Sequence, residues 1–107
     1  MKETALEGLD LAAFSPLVNS TFSVHQDSDE QIKLVLVEAK PVLVRGTPAD
    51  ARTGSFSLIF QGPDRSLLPQ KIHTFEHESI GRFSLFIVPV GYKQGVVEYQ
   101  AIFNRPA

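Results

Sequence analysis

The chain has 107 residues, a formal net charge of −2 and no cysteine. That length makes one domain, which buries roughly two thirds of its unfolded surface without a covalent staple. The missing cysteines exclude disulfides, thiolate nucleophiles and thiolate metal sites together, and scattered charges of both signs leave no basic stripe for a phosphate backbone.

Every apolar run falls far short of the ~18 residues a membrane span needs. No cationic start leads into an apolar segment, so no secretory leader is expected and the default compartment is the cytoplasm. Eight Phe, two Tyr and no Trp make a lopsided aromatic set. Phe has no polar handle, so most of it is expected in the core.

Residues 1–16 are the one helical stretch, read as a short helix or arm packed on a sheet. Thr4 and Glu7 have capping-box spacing, and Leu6, Leu9, Ala13 and Leu11 share a face. Gly8 weakens the helix, and Ser15-Pro16 ends it. Thr21–Gln26 then alternates with Phe22 and Val24 inward, the polar run Asp27-Ser28-Asp29-Glu30 interrupts, and Ile32–Glu38 alternates again through Ile32, Leu34 and Leu36. Two such runs around a polar tip read as a β-hairpin. Pro41 breaks the second run, and Val42-Leu43-Val44 extends it past a bulge or starts another.

Residues 45–54 form the longest polar interval, expected to be a flexible surface loop carrying Arg45 and Arg52. Ser55–Gln61 alternates with Phe56, Leu58 and Phe60 on one face. Gly62-Pro63-Asp64-Arg65 is a turn signature. Leu67–Gln70 leads into a weaker strand, Lys71–His77, with Ile72 and Thr74 opposite His73 and Phe75. Glu78–Gly81 turns into the most apolar run of all, Phe83–Val90. Bracketed by Gly81 and Gly91, this run reads as a strand buried on both faces, ending or reaching an edge at Pro89. Gly91–Gly95 is a further turn. Val96–Phe103 closes the chain with Val97, Tyr99, Ala101 and Phe103 on one face, and residues 104–107 are a tail. About six or seven short strands with close turn signals predict a mostly β, antiparallel sandwich or partly open small barrel with a short N-terminal helix.

Few side chains carry a chemical signal. His73 and His77 have the spacing of two metal ligands on a helix. On a strand, at ~3.3 Å per residue, they stand about 13 Å apart, whereas one metal needs both nitrogens near ~2.1 Å. They are read as edge-strand and turn residues, and His25 as a solvated neighbour of Asp27. The acids of 27–30 lack the frame of a calcium loop. No nucleophile elbow is present, because Gly54-Ser55-Phe56-Ser57 lacks the second glycine. Glu76 and Glu98 facing each other across a ladder would repel. No metal and no cofactor is expected.

The ordered pieces Ser55-Phe56-Ser57-Leu58-x-Phe60-x-Gly62-Pro63, Leu68-Pro69-Gln70, His77-x-x-x-Gly81, Leu85-Phe86-Ile87-Val88-Pro89-Val90-Gly91 and Tyr99-x-Ala101-x-Phe103-Asn104-Arg105 resemble a family of small bacterial domains of unknown function. The likeness spans nearly the whole chain, more loosely through Phe14, Phe22 and Leu34–Glu38. It carries no catalytic residue. It implies a part in a bacterial surface or phage-tail-like assembly.

The expected function is therefore a non-enzymatic interaction or assembly module. A protein partner or self-association is expected, with no nucleic acid and no membrane insertion. It would act through a strand edge, a hydrophobic patch or the 45–54 loop. A small-ligand or carbohydrate-binding domain with His73, Phe75 and Tyr92 lining a cleft is the alternative. An enzyme of unfamiliar type would need Glu76, His77 and Glu98 to converge.

Overall fold

The computed structural model describes residues 8–26, 30–42, 55–64 and 67–103. Thr4, Leu6 and Glu7, the tip 27–29, the loop with Arg45 and Arg52, and the tail 104–107 lie outside the described residues. What remains is a four-residue helix α1 (Leu11–Phe14), a 3-10 turn (Ser15–Leu17) and six strands. These are β1 (Thr21–His25), β2 (Gln31–Pro41), β3 (Phe56–Pro63), β4 (Lys71–His77), β5 (Gly81–Lys93) and β6 (Val96–Phe103). The helix cap is Asp10, whose carboxylate accepts from Ala13 N–H at 3.0 Å, as a short acidic side chain does for a free first-turn donor.

Alternation drives the strands. Phe22 and Val24, Leu34 and Leu36, Leu58 and Phe60, Leu85 and Ile87, and Tyr99 and Ala101 all point inward and are buried. Their neighbours face out, as a period of two requires. The strands close in the order β1-β2-β3-β6-β5-β4, every pairing antiparallel. The architecture is thus the barrel rather than the sandwich. Full closure leaves no edge strand among the described residues, which corrects the expectation of a strand edge open to a partner.

Two long strands make closure possible by changing neighbours. Gln31–Val35 of β2 pairs with β1 and Val35–Pro41 with β3. Gly81–Ile87 of β5 pairs with β4 and Val88–Lys93 with β6. Each exchange lies beside a register shift, at Leu36/Glu38 and at Pro89/Gly91, and such bulges bend and twist a strand. Pro89 does not end β5. The β4 ladder has already stopped at Ile87, so no β4 residue stands opposite the proline to miss its N–H.

Three turn and burial expectations change. Gly62 and Pro63 belong to β3, opposite Val97 and Val96, because β6 extends far enough to pair with them. Gly91–Lys93 is strand, and the reversal shrinks to Gln94–Gly95, with φ of 46° and 86°. β5 is buried on one face only, since Ser84 and Phe86 point out of a closed barrel that has no second layer.

The lower end, where β3 and β5 begin, is stoppered by the N-terminal segment. The Phe14 ring lies 5.9 Å from Phe56, 5.9 Å from Phe83 and 5.6 Å from Phe103. Leu9 is buried beside them in the same core. The upper end is crossed by the β3–β4 connection. Its Leu68 is fully buried and donates its backbone N–H to Tyr99 Oη at 3.0 Å.

Candidate functional site

β4 settles most of the chemistry. Its inward residues are His73, Phe75 and His77, and Ile72 faces solvent with Thr74 and Glu76 on the same side. Sequence alternation separates these two sets but does not say which is inside. His73 is only 4% exposed, and its Nε2–H donates to the Pro69 carbonyl at 2.8 Å. Phe75 is fully buried between Phe60 and Phe83. Tyr92 is 68% exposed on the upper rim of β5. His73 and Phe75 are therefore held in the barrel wall and do not join Tyr92 in an open cleft.

His77 has both ring nitrogens assigned. Nδ1 accepts the Ser79 N–H at 3.0 Å, so Nε2 carries the proton and donates to Ser20 Oγ at 2.9 Å. Ser20 in turn donates to the Leu17 carbonyl. A serine nucleophile needs the reverse arrangement, with Nε2 bare and Nδ1–H donating to an orienting acceptor. This pair is instead a brace between the N-terminal segment and the β4–β5 turn. Burial lowers the His77 pKa, opposed by the nearby Glu78 charge.

Glu76 and Glu98 do not meet, because β4 and β6 are not neighbours. Glu76 belongs to a row across four strands in which Lys33 stands opposite Ser23, Ser23 opposite Glu76 and Glu76 opposite Arg82. Lys33 Nζ donates to Ser23 Oγ at 2.6 Å, and Glu76 Oε1 receives His25 Nε2 at 2.7 Å and Arg82 at 3.3 Å. The His25 hydrogen bond foremost, with Arg82 adding to it, holds the Glu76 pKa down against its partial burial. His25 thus leans on Glu76. That contact comes from the non-sequential β1–β4 pairing, which no local pattern announces. Among the described residues, no three His, Asp or Glu side chains gather as metal ligands.

Two surface features remain. One is the outer face of β4, β5 and β6. Ile72 and Phe86 are cross-strand partners and are 64% and 47% exposed. Half-buried Val88 follows Phe86 outward on β5 opposite Gln100, and Ile102, 59% exposed, follows Gln100 on β6. Ser84, Phe86, Val88, Ile72, Gln100 and Ile102 include no charged side chain. Large apolar side chains gathered in this way on the outside of a monomer mark a contact surface more often than chance exposure.

The second feature is a pair of clefts flanking the upper part of the β5–β6 ladder, one on each of its faces. Two clefts of about 530 and 480 Å³ share Gly91 and Tyr92. The Tyr92 hydroxyl donates to Asp64 Oδ2 at 3.0 Å, and Gln61 Nε2 donates to Glu98 Oε2 at 2.8 Å. Gln61, Glu98 and Gly91 are register partners in one row across β3, β6 and β5. Tyr92 was visible in the sequence. Its companions Asp64, Gln61 and Glu98 come from three other places in the chain, joined to it only by the closed sheet.

These features define a small closed antiparallel barrel, stoppered at both ends by its own chain, whose distinctive chemistry lies on its outer surface. Residues 9–103 match the family described as a domain of unknown function (DUF6916), and the chain belongs to that family. No curated protein and no solved structure matches the chain.

Proposed function

We propose that the domain is a non-enzymatic interaction module that docks through the outer face of β4, β5 and β6. The observation that carries this is the Ile72–Phe86 pair, two large apolar side chains held side by side in solvent. A two-stranded outward pair with Val88 and Ile102 beside it offers apolar area that a partner can remove from water.

The occupant that fits is a second copy of the chain. In a two-fold contact the residues near the axis face their own copies. A charged residue there would meet a like charge, and the cluster of Ile72, Phe86, Val88, Gln100 and Ile102 has none, whereas Glu76, Arg82 and Glu98 lie toward the margins of the same outer face. Repeated self-contact suits the bacterial surface or tail-like assembly that the family resemblance implied.

Light scattering behind size exclusion, across a wide concentration range, tests the reading. The mass is expected to rise from monomer toward dimer with concentration. Phe86→Asp is expected to remain monomeric at every concentration with an unchanged circular dichroism spectrum. A wild-type mass fixed at the monomer throughout, or an association that Phe86→Asp leaves intact, would overturn it.

A further inference from the structure

We infer that in the dimer Arg82 of each copy seats in the outer cleft at Gly91 of the other and pairs there with Glu98. The inference rests on self-association through the face of β4, β5 and β6, and it fixes how the two copies lie on that face. In a two-fold contact each residue meets the one at its counterpart position across the axis. With the axis along β5, Arg82 would meet its own copy, like charge on like. With the axis across the strands, through the Ile72–Phe86 row, the two β5 strands run antiparallel. Arg82 then meets a residue as far beyond Phe86 as Arg82 lies before it.

The register says which residue that is. Arg82 precedes Phe86 by four residues, about 13 Å of strand. Gly91 follows Phe86 by five, but Val90 is the extra residue of the bulge between Pro89 and Gly91, so the ladder distance is again about 13 Å. Glu98 stands directly across the ladder from Gly91, on the outer face. Moving the axis one residue along, to Ile87, would lay Arg82 on Lys93 instead, so charge selects the register centred on Phe86. In that register Lys93 passes beyond Arg82, over the β4–β5 turn and its exposed Glu78.

Both groups are open to this pairing. Gly91 has no side chain, which leaves a cleft of about 530 Å³ beside Glu98. Gln61 occupies Glu98 Oε2 at 2.8 Å, and Oε1 faces the space above Gly91, since a Cβ there would lie 3.5 Å from it. The Arg82 side chain is 42% exposed, and its Nη2 makes a long 3.3 Å contact to Glu76. A guanidinium carries five N–H donors, and Arg82 Nε is buried with no hydrogen-bond partner among the described residues. Swinging out toward the partner's Glu98 gives this side chain hydrogen bonds that its own chain does not supply.

Light scattering on charge-reversed chains is the test. Arg82→Glu and Glu98→Arg each put two like-charge contacts into their own dimer, and each is expected to raise the dimer Kd about tenfold or more. Mixed in equal amounts they restore both opposite-charge pairs, because one chain then carries acid at both places and the other carries base. The mixture is expected to dimerise within about threefold of the wild type. A second measurement needs no charge reversal, and it decides the matter should a reversed charge beside Glu76 unfold the chain. The sequence has no cysteine, so a short bismaleimide joins only introduced thiols. It is expected to link Arg82→Cys chains to Glu98→Cys chains and to link neither to its own kind, the like positions standing about 26 Å apart. A wild type that stays monomeric overturns the docking reading and this inference together. A wild-type dimer that Phe86→Asp abolishes, with a mixture no tighter than the single variants or with no preference for the mixed crosslink, overturns the inference alone.

Discussion

His77 passes a hydrogen bond from its Nε2 to the Ser20 hydroxyl at 2.9 Å, and that contact joins the segment stoppering the barrel to the turn between β4 and β5. Nδ1 must stay bare to receive Ser79 N–H, so protonation of the imidazole breaks the turn end of the brace while leaving Nε2–H as a donor to Ser20. Its ring also packs against Phe22 at 4.5 Å, where a charge would be poorly solvated.

Stability should therefore fall as pH drops through the histidine range. Burial sets the folded pKa below the ordinary histidine value of 6.5. The unfolded chain takes up a proton there that the folded chain refuses, so stability is complete above that pH and is lost below it until the folded pKa is reached. Urea midpoints between about pH 7 and pH 5 measure this. His77→Gln should flatten the slope, and an unchanged slope in that variant would assign it to another group. Ser20→Ala leaves Nε2–H without its acceptor and is expected to cost ~1 kcal/mol at neutral pH.

Glu76 governs a lower window. Its folded pKa lies below the ordinary glutamate value of 4.5 because His25, and after it Arg82, favours the carboxylate. Stability from this contact is present above that value and is lost as pH falls through the folded pKa. Glu76→Gln should weaken the acid sensitivity of the wild type in that range, read as the acid midpoint of unfolding. An identical acid transition in both proteins would show that the row across β2, β1, β4 and β5 adds nothing.

Gly62 tests the close packing of β3 on β2. A Cβ at Gly62 would clash with Leu34 Cδ2, and Leu34 is fully buried with no solvent side to yield toward. Gly62→Ala is expected to destabilise by about 1–3 kcal/mol, the usual range for overpacking. Leu34→Val in the same chain should recover part of the loss, since it removes reach at the clash. A Gly62→Ala protein as stable as wild type would mean that Leu34 has room to move.

Gly62 also shows where the sequence stopped being informative. Gly-Pro reads as a turn because those residues favour turns locally, but its partner in β6 lies more than thirty positions later and overrules that preference. The inward sets Phe56-Leu58-Phe60 and Val97-Tyr99-Ala101-Phe103 were legible because alternation is a local signal. So was the turn at Gly81, with φ of 83°, where His77 Nδ1 accepts the Ser79 N–H. The barrel closure, and with it the His25–Glu76 and Tyr92–Asp64 contacts, depends on which distant strands pair. Period alone carries no such information. In β4, two histidines point inward and an isoleucine outward, the reverse of what hydrophobicity suggests. Pro69 and Ser20 make the two imidazoles tolerable by supplying hydrogen-bond acceptors from outside the strand.

Tyr99 anchors the connection that crosses the upper end. Its hydroxyl accepts the Leu68 N–H inside the core, and His73 holds the next residue, Pro69, by its carbonyl. Tyr99→Phe keeps the ring but orphans a buried backbone donor, at an expected cost of about 1–3 kcal/mol. Amide hydrogen exchange at Leu68 should accelerate more than at Phe60, which pairs with Tyr99 in the β3–β6 ladder. A uniform change at both positions would instead indicate global weakening without a local anchor.

The β5–β6 reversal offers a gain rather than a loss. Gln94 and Gly95 both have positive φ, the condition of a two-residue hairpin turn whose twist matches that of its strands. Glycine meets that condition without strain. Gln94 meets it with a side chain that disfavours the left-handed region, where asparagine is far better tolerated. Gln94→Asn should therefore stabilise by ~0.5 kcal/mol, and Gly95→Ala should destabilise by about 1–2 kcal/mol. Thermal midpoints of the two variants should move in opposite directions from the wild type. If both fell, the Gln94 side chain would have to contribute more through its place in the rim cleft than its backbone costs.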